Sequence, residues 1–159
     1  MFYRIKYISL IMTAIVAVIL GPVQANPVHL GIEMIDSHAQ VFAGKRVGLI
    51  TNQTGVNSRL QSSVDILYEK TNLTALFSPE HGLRGAAEAG APIGMVTDKK
   101  TGLPVYSLYG DTKKPTPAML ENVDILCIDI QDIGTRFYTY VSTMALAMES
   151  AKENNIQFV

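Results

Sequence analysis

A carboxylate, an imidazole and a guanidinium occur within five residues, at Glu80, His81 and Arg84, and the first two could do acid–base chemistry. They follow the apolar run 73–77, which is typical of a buried strand. Proline and glycine residues punctuate the segment and favour a loop. Ionisable groups on a loop that follows a strand are a common basis for an active site. The same residues also fit an ordinary polar loop. A site is indicated only if the ends of other predicted strands carry similar polar residues.

Polar residues also follow three other apolar runs, 45–51, 104–108 and 123–130. After the first come Asn52, Gln53 and Thr54, after the second Tyr109, Gly110 and Asp111, and around the end of the third Asp129, Gln131, Asp132, Arg136 and Tyr138. One such cluster would mean little, whereas four that follow strands indicate a shared site.

The elements that must position these clusters are strands alternating with helices. Helical patterns cover 62–70, 117–121 and 137–152, the last with Val141, Met144, Ala145 and Met148 on one stripe, and a further strand begins at 156. Residues 84–101 are predicted to be an irregular loop. This order predicts an α/β fold with a mostly parallel sheet flanked by helices. Ligands of such sheets bind outside the carboxyl ends of the strands, where all four clusters should lie.

The first 25 residues are predicted to be a secretory signal peptide. Arg4 and Lys6 precede the apolar run 7–20, and small residues lead to a cleavage site after Ala25. Removal of these two cations would change the net charge from −1 to −3 and leave one domain, 26–159. The single cysteine, Cys127, permits no internal disulfide, which suits a bacterial periplasm or cell surface.

Several kinds of chemistry find no support in the sequence. The turn after the first strand has neither phosphate-binding glycine motif, no basic stretch suggests nucleic acid, and no serine elbow occurs. His29, His38 and His81 show no metal-ligand spacing. Neither a cofactor nor a metal is therefore expected, although Asp129 and Asp132 could in principle bind a hard cation. Carboxylate chemistry remains, and glycoside hydrolysis is its best-fitting example.

Four motifs resemble those of the exo-β-N-acetylmuramidase family, long catalogued as a domain of unknown function. They are TNQTG at 51–55, SPEHGLRG at 78–85, PVYSLYG at 104–110 and DIQDIGTRFYTY at 129–140. The resemblance implies a Rossmann-like domain without a nucleotide. It also implies an exported bacterial enzyme that removes terminal N-acetylmuramic acid from peptidoglycan fragments in cell-wall turnover and recycling.

The resemblance also implies roles for single residues. Glu80 matches the candidate catalytic glutamate, with His81 and Asp129 beside it as catalytic candidates. Substrate-binding positions are expected at Asn52, Gln53, Arg84, Gln131, Asp132, Arg136 and Tyr138. Family members carry a second, C-terminal domain that this sequence lacks, so the expected unit is the N-terminal part of the enzyme. The alternatives are a non-catalytic module that binds cell-wall sugar and a structural remnant.

Overall fold

A computed structural model describes residues 28–79, 82–83 and 96–159. Its six-stranded sheet has the order β3-β4-β2-β1-β5-β6, with every pair parallel except β3 and β4. The strands are β1 (Arg46–Thr51), β2 (Asn72–Ser78), β3 (Val96–Thr97), β4 (Pro104–Ser107), β5 (Ile125–Asp129) and β6 (Gln157–Phe158). The predicted α/β fold with a mostly parallel sheet is confirmed.

Within the described ranges, three α-helices and three short 3-10 helices precede or connect the strands. They are α1 (Ala39–Phe42), α2 (Ser63–Lys70) and α3 (Tyr140–Glu153), with 3-10 turns at Gly31–Met34, Asp36–His38 and Pro117–Leu120. Ser62 caps α2, because its side chain accepts a hydrogen bond from the Val64 amide at 3.3 Å. No helix in 28–79, 82–83 or 96–159 is long and apolar enough to cross a membrane.

Strand β1 lies in the middle of the sheet and is covered on both faces. Leu49 packs in one core with Val64 and Leu67 of α2, and Ile50 packs in the other with Ala147 of α3. A strand buried on both faces needs apolar residues in succession rather than in alternation. That requirement explains the continuous apolar run from which β1 was predicted.

An ion pair joins the amino ends of β1 and β5. The Arg46 guanidinium lies 2.7 Å from the nearer carboxylate oxygen of Asp124, and the Arg46 amide donates to the same carboxylate at 2.8 Å. Hydrogen bonds from Arg46 lower the pKa of the Asp124 carboxyl to about 2. Cys127 of β5 is buried, and burial raises the pKa of its thiol to about 12, so the thiol is kept in its unreactive protonated form.

The last helix differs from its prediction in two ways. It begins at Tyr140, not at Phe137, because residues 137–139 belong to the preceding loop. The predicted apolar stripe also faces outward: Met148 is 49 % exposed and Val141 is also exposed. The buried face carries small side chains instead, namely Thr143, Ala147, Ser150 and Ala151.

The segment 84–101 contains a strand that the sequence did not predict. Val96 and Thr97 form β3, which pairs with β4 in the antiparallel direction. Both residues of β3 are exposed, so no alternation of buried and exposed positions marks the strand. Residues 84–95 and the predicted signal peptide, 1–25, lie outside the described residues.

Candidate active site

The carboxyl ends of β1 and β5 lie side by side. Thr51 is the register partner of Asp129, and the Thr51 hydroxyl donates a hydrogen bond to the Asp129 carbonyl oxygen at 2.6 Å. The segments that follow, 52–54 and 130–139, therefore leave the sheet at one edge. Parallel β2 and β4, which end at the register partners Ser78 and Ser107, reach the same edge. The predicted convergence of strand ends is thus present for all four strands.

The turn after β1 is held by the side chain of Asn52. Its Oδ1 accepts hydrogen bonds from the Thr54 amide at 2.9 Å and from the Thr54 hydroxyl at 2.7 Å. The hydroxyl oxygen of Thr54 in turn accepts a hydrogen bond from the backbone amide of Gln131 at 3.0 Å. This chain of hydrogen bonds fixes the loop after β5 against the turn after β1.

The side-chain amide nitrogen of Asn52, Nδ2, is a hydrogen-bond donor with no acceptor in the part of the chain that the structure describes. Asn52 is only 2 % exposed, so water does not readily replace the missing partner. A buried donor left unpaired costs about 1–3 kcal/mol. Such a group at the binding edge of a sheet is a candidate for hydrogen bonding to a ligand.

Asp129 is engaged by a residue at the start of the predicted helix 62–70. The buried Ser63 hydroxyl, at the start of α2, donates a hydrogen bond to the Asp129 carboxylate. Gly55 lies so close that an added Cβ would be 2.7 Å from the Asp129 carbonyl oxygen. Ser63 therefore holds the carboxylate in place, and the catalytic role of Asp129 stays a prediction.

The loop after β5 is shaped by Asp132. One of its oxygens accepts a hydrogen bond from the Gly134 amide at 2.7 Å, and Gly134 has a φ of 71°, which favours glycine. The other oxygen of Asp132 is buried and has no donor among the described residues. This loop leaves Arg136 exposed, and no described carboxylate forms an ion pair with it.

A cavity of about 360 Å³ lies between the turn after β1 and the loop after β5. It combines side-chain amides, hydroxyls and aromatic rings, and its lining comprises Gln53, Thr54, Gln131, Ile133, Phe137, Tyr138, Thr139 and Tyr140. The rings of Tyr138 and Tyr140 meet edge to face with centroids 5.5 Å apart. Amide and hydroxyl groups beside aromatic faces suit a polar ligand with apolar patches, such as a saccharide.

A larger cavity, of about 440 Å³, lies at the opposite edge of the sheet. Gly44, Thr71 and Asn72 line it, and these residues precede or begin β1 and β2. Two of its three charged lining residues, Asp36 and Lys70, pair with each other, and the third is Glu69. The cavity at the carboxyl edge is therefore the better candidate for a ligand.

The structure brings some of the predicted site residues together. Gln53, Gln131 and Tyr138 line one cavity, while Asn52, Asp129, Asp132 and Arg136 lie in the segments that frame it. Glu80, His81 and Arg84 lie outside the described residues. His29 and His38 are exposed. No group of three His, Cys, Asp or Glu residues within the described ranges could hold a metal ion.

Sequence reasoning missed Ile133 and Phe137 as lining residues and Ser63 as the partner of Asp129. Phe137 was assigned to the last helix because its apolar side chain continued the helical pattern. Residues 137–139 contain no Gly or Pro, so no helix breaker in the sequence marks the later start of the helix.

Comparisons with known proteins agree with the geometry. A family model described as exo-beta-N-acetylmuramidase NamZ, N-terminal, matches residues 47–159. The peptidoglycan beta-N-acetylmuramidase NamZ of Bacillus subtilis is 63% identical over 135 residues, which are 83% of this chain and 33% of that protein.

Two crystal structures of DUF1343 family proteins from Bacteroides fragilis are also similar. The first is 54% identical with a TM-score of 0.74, over 82% of this chain and 33% of that chain. The second is 36% identical with a TM-score of 0.69, over 84% of this chain and 34% of that chain. The chain thus spans about a third of the length of the relatives that it matches.

Proposed function

The chain belongs to the exo-beta-N-acetylmuramidase NamZ family, and from this membership we propose that it supplies the catalytic region of a glycosidase acting on peptidoglycan. Its reaction is the release of terminal N-acetylmuramic acid from peptidoglycan fragments during cell-wall turnover and recycling. The chain spans about a third of its relatives. The proposal therefore concerns the groups that this sheet presents, and export through the predicted signal peptide stays a prediction.

One observation carries the proposal: the cavity at the carboxyl edge pairs the amides of Gln53 and Gln131 with the aromatic ring of Tyr138. Sugar hydroxyls and N-acetyl groups need both hydrogen-bond donors and hydrogen-bond acceptors, and a side-chain amide provides both. The C–H faces of a sugar ring are apolar and can lie against an aromatic ring. The lining therefore favours an amino-sugar over a purely apolar ligand.

Glu80 acts in this proposal as the general acid. It donates its proton to the glycosidic oxygen while the bond from that oxygen to the sugar breaks. This role rests on the sequence motif and on family membership, and Ser78 ends β2 at the shared edge, two residues before Glu80 in the chain.

Glycoside hydrolysis uses a second carboxylate beside the general acid, and this role suits Asp132 better than Asp129. The Asp129 carboxylate accepts a hydrogen bond from Ser63, whereas one oxygen of Asp132 is buried without a described donor. An oxygen with free lone pairs can orient a water or a sugar hydroxyl. Asp129 then serves to position the ends of β1 and β5.

Two further groups suit the polar substituents of muramic acid. The unpaired Asn52 amide can donate to a carbonyl or hydroxyl oxygen of the substrate. The exposed Arg136 guanidinium can form a bidentate pair with the lactyl carboxylate.

Release of a chromogenic group from a β-N-acetylmuramide tests the proposal. We expect Glu80→Gln to lower the rate by about 10²–10⁴-fold, the usual contribution of a general acid. Glu69→Gln is the control, because Glu69 is an exposed glutamate of α2 outside the site. A Glu80→Gln rate close to that of the parent chain would refute the role of Glu80.

A saccharide-binding module without turnover is the second candidate. The lining of the cavity favours it, because none of the eight described lining residues carries a carboxylate. Saturable binding of N-acetylmuramic acid, measured calorimetrically, with no release of the chromogenic group would support this candidate over the enzyme.

A further inference from the structure

Phe137 is the most exposed large apolar residue among those described, at 92 %. It nevertheless lines the cavity at the carboxyl edge, where Ile133 and Tyr138 are also exposed. Single exposed apolar residues are ordinary on a protein surface. A cluster of three at the rim of a polar cavity is different, because it offers an apolar wall to whatever enters the cavity.

The charge of the cavity narrows the choice of ligand. None of the eight described lining residues is an Asp, Glu, Lys, Arg or His. Anions such as carboxylates and phosphates are usually recognised by Arg or Lys. The lining therefore suits a neutral ligand, and the side-chain amides of Gln53 and Gln131 suit one rich in hydroxyl and acetamido groups.

The uncharged lining of this cavity does not match the terminal sugar of the proposed substrate, muramic acid. Muramic acid carries a lactyl carboxylate, which Arg136 is better suited to meet, and Arg136 is not among the residues that line the cavity. The next sugar of a peptidoglycan strand is a neutral N-acetylhexosamine. The cavity volume, about 360 Å³, is at the lower end of the roughly 300–1,000 Å³ of small-ligand pockets, which suits one sugar ring better than two.

We propose that the cavity beside Phe137 is the subsite for the neutral N-acetylhexosamine that follows the terminal muramic acid, with the Phe137 ring as its stacking surface. The inference rests on the proposed function and extends it to the leaving part of the substrate. Phe137 is a binding residue in this arrangement. Its contact explains why a large aromatic ring is presented to solvent beside amide groups.

Binding measurements test the subsite directly. The ligands are N-acetylmuramic acid and its sulfur-linked disaccharide with N-acetylglucosamine, in which the linkage resists hydrolysis. We expect Phe137→Ala to weaken binding of the disaccharide about tenfold, in line with the loss of one good aromatic contact. Binding of the monosaccharide should change by less than about twofold, because it does not reach this subsite.

Tyr68→Ala is the matched control, since Tyr68 is a half-exposed aromatic residue on α2 that is not among the lining residues of the cavity. It should leave both affinities unchanged. If Phe137→Ala and the parent chain bind the disaccharide with equal affinity, the subsite is overturned. The proposed recognition of muramic acid is not affected by that result. Failure of the parent chain to bind either saccharide would overturn the proposed function and the subsite together.

Fluorescence gives an independent readout, because the chain contains no tryptophan. An indole introduced by Phe137→Trp should shift its emission to shorter wavelength when the disaccharide is added, and not when the monosaccharide is added. The indole of Tyr68→Trp should respond to neither. A response of Phe137→Trp to both saccharides alike would place the terminal sugar at Phe137 and overturn the assignment.

Discussion

Single residues at the ends of β1 and β5 are packed with little spare volume. The Thr51 hydroxyl bonds to the Asp129 carbonyl, and the Asp129 carboxylate accepts from Ser63. Gly55 fits against this group because it has no side chain: an added Cβ would be 2.7 Å from the Asp129 carbonyl oxygen. Any larger residue would push apart the two strand ends that carry the cavity.

We expect Gly55→Ala to lower the free energy of unfolding by about 1–3 kcal/mol, the usual effect of overpacking a closed space. Urea unfolding followed by circular dichroism measures the change. Gly31→Ala is the control, since a Cβ at Gly31 would meet nothing within 4 Å. Similar losses for the two variants would contradict the close packing described for Gly55.

At the scale of elements, α3 packs on the sheet through small side chains. Ala147 and Ser150 are fully buried, and Thr143 is 8 % exposed. Small residues let a helix approach the sheet closely, so larger apolar side chains are displaced to its outer face. Val141 and Met148 occupy that outer face.

Substitutions at two neighbouring positions of α3 should distinguish its buried face from its exposed face by their effect on stability. Ala147→Leu should lower the free energy of unfolding by about 1–3 kcal/mol, because it adds volume to a closed core. Met148→Gln should change it by less than about 0.5 kcal/mol, as for other surface positions. Thermal unfolding by calorimetry measures both, and a larger loss for Met148→Gln would reverse the assignment of the faces.

Strand β1 was predictable because burial on both faces leaves a continuous apolar run in the sequence. The apolar run 45–51 predicted β1, found at Arg46–Thr51. The start of α3 was not predictable from apolar spacing. A hydrogen bond from the Gly134 amide to Asp132 shapes the preceding loop, and Phe137 continues the apolar pattern without joining the helix.

The common edge of the site was predictable from the alternation of strands and helices, and the cavity brings Gln53, Gln131 and Tyr138 together there. Individual partners were not predictable. Ser63 reaches Asp129 only because α2 begins deep beside the end of β5. Sequence shows which elements meet but not how closely they approach.

At the scale of the whole molecule, Arg46 and Asp124 join two central strands across 78 positions of the chain. Arg46 lowers the pKa of the Asp124 carboxyl from 3.8 to about 2. A carboxyl with a lowered folded-state pKa stabilises the fold above its unfolded pKa. This stabilisation is lost as the pH falls through about 2.

Acid unfolding should therefore depend on Asp124. We expect the Tm of Asp124→Asn to lie below that of the parent above about pH 4, where the unfolded carboxyl is ionised. The difference should shrink as the pH approaches 2, because the parent then loses its charged pair. Asp111→Asn, in the exposed loop after β4, should show no such narrowing. A gap between Asp124→Asn and the parent that stays constant down to pH 2 would rule out this pair as its origin.

The central place of β1 has a consequence for how the chain emerges during synthesis. One side of β1 pairs with β2, the next strand in sequence, and the other side pairs with β5, so that Thr51 and Asp129 are 78 positions apart. On the ribosome, β1, α2 and β2 can assemble while β5 has not yet been made. Until β5 is made, the edge of β1 that later pairs with β5 has unpaired backbone amides and carbonyls. During that interval, one of the most deeply buried strands of the finished protein can pair with the wrong partner.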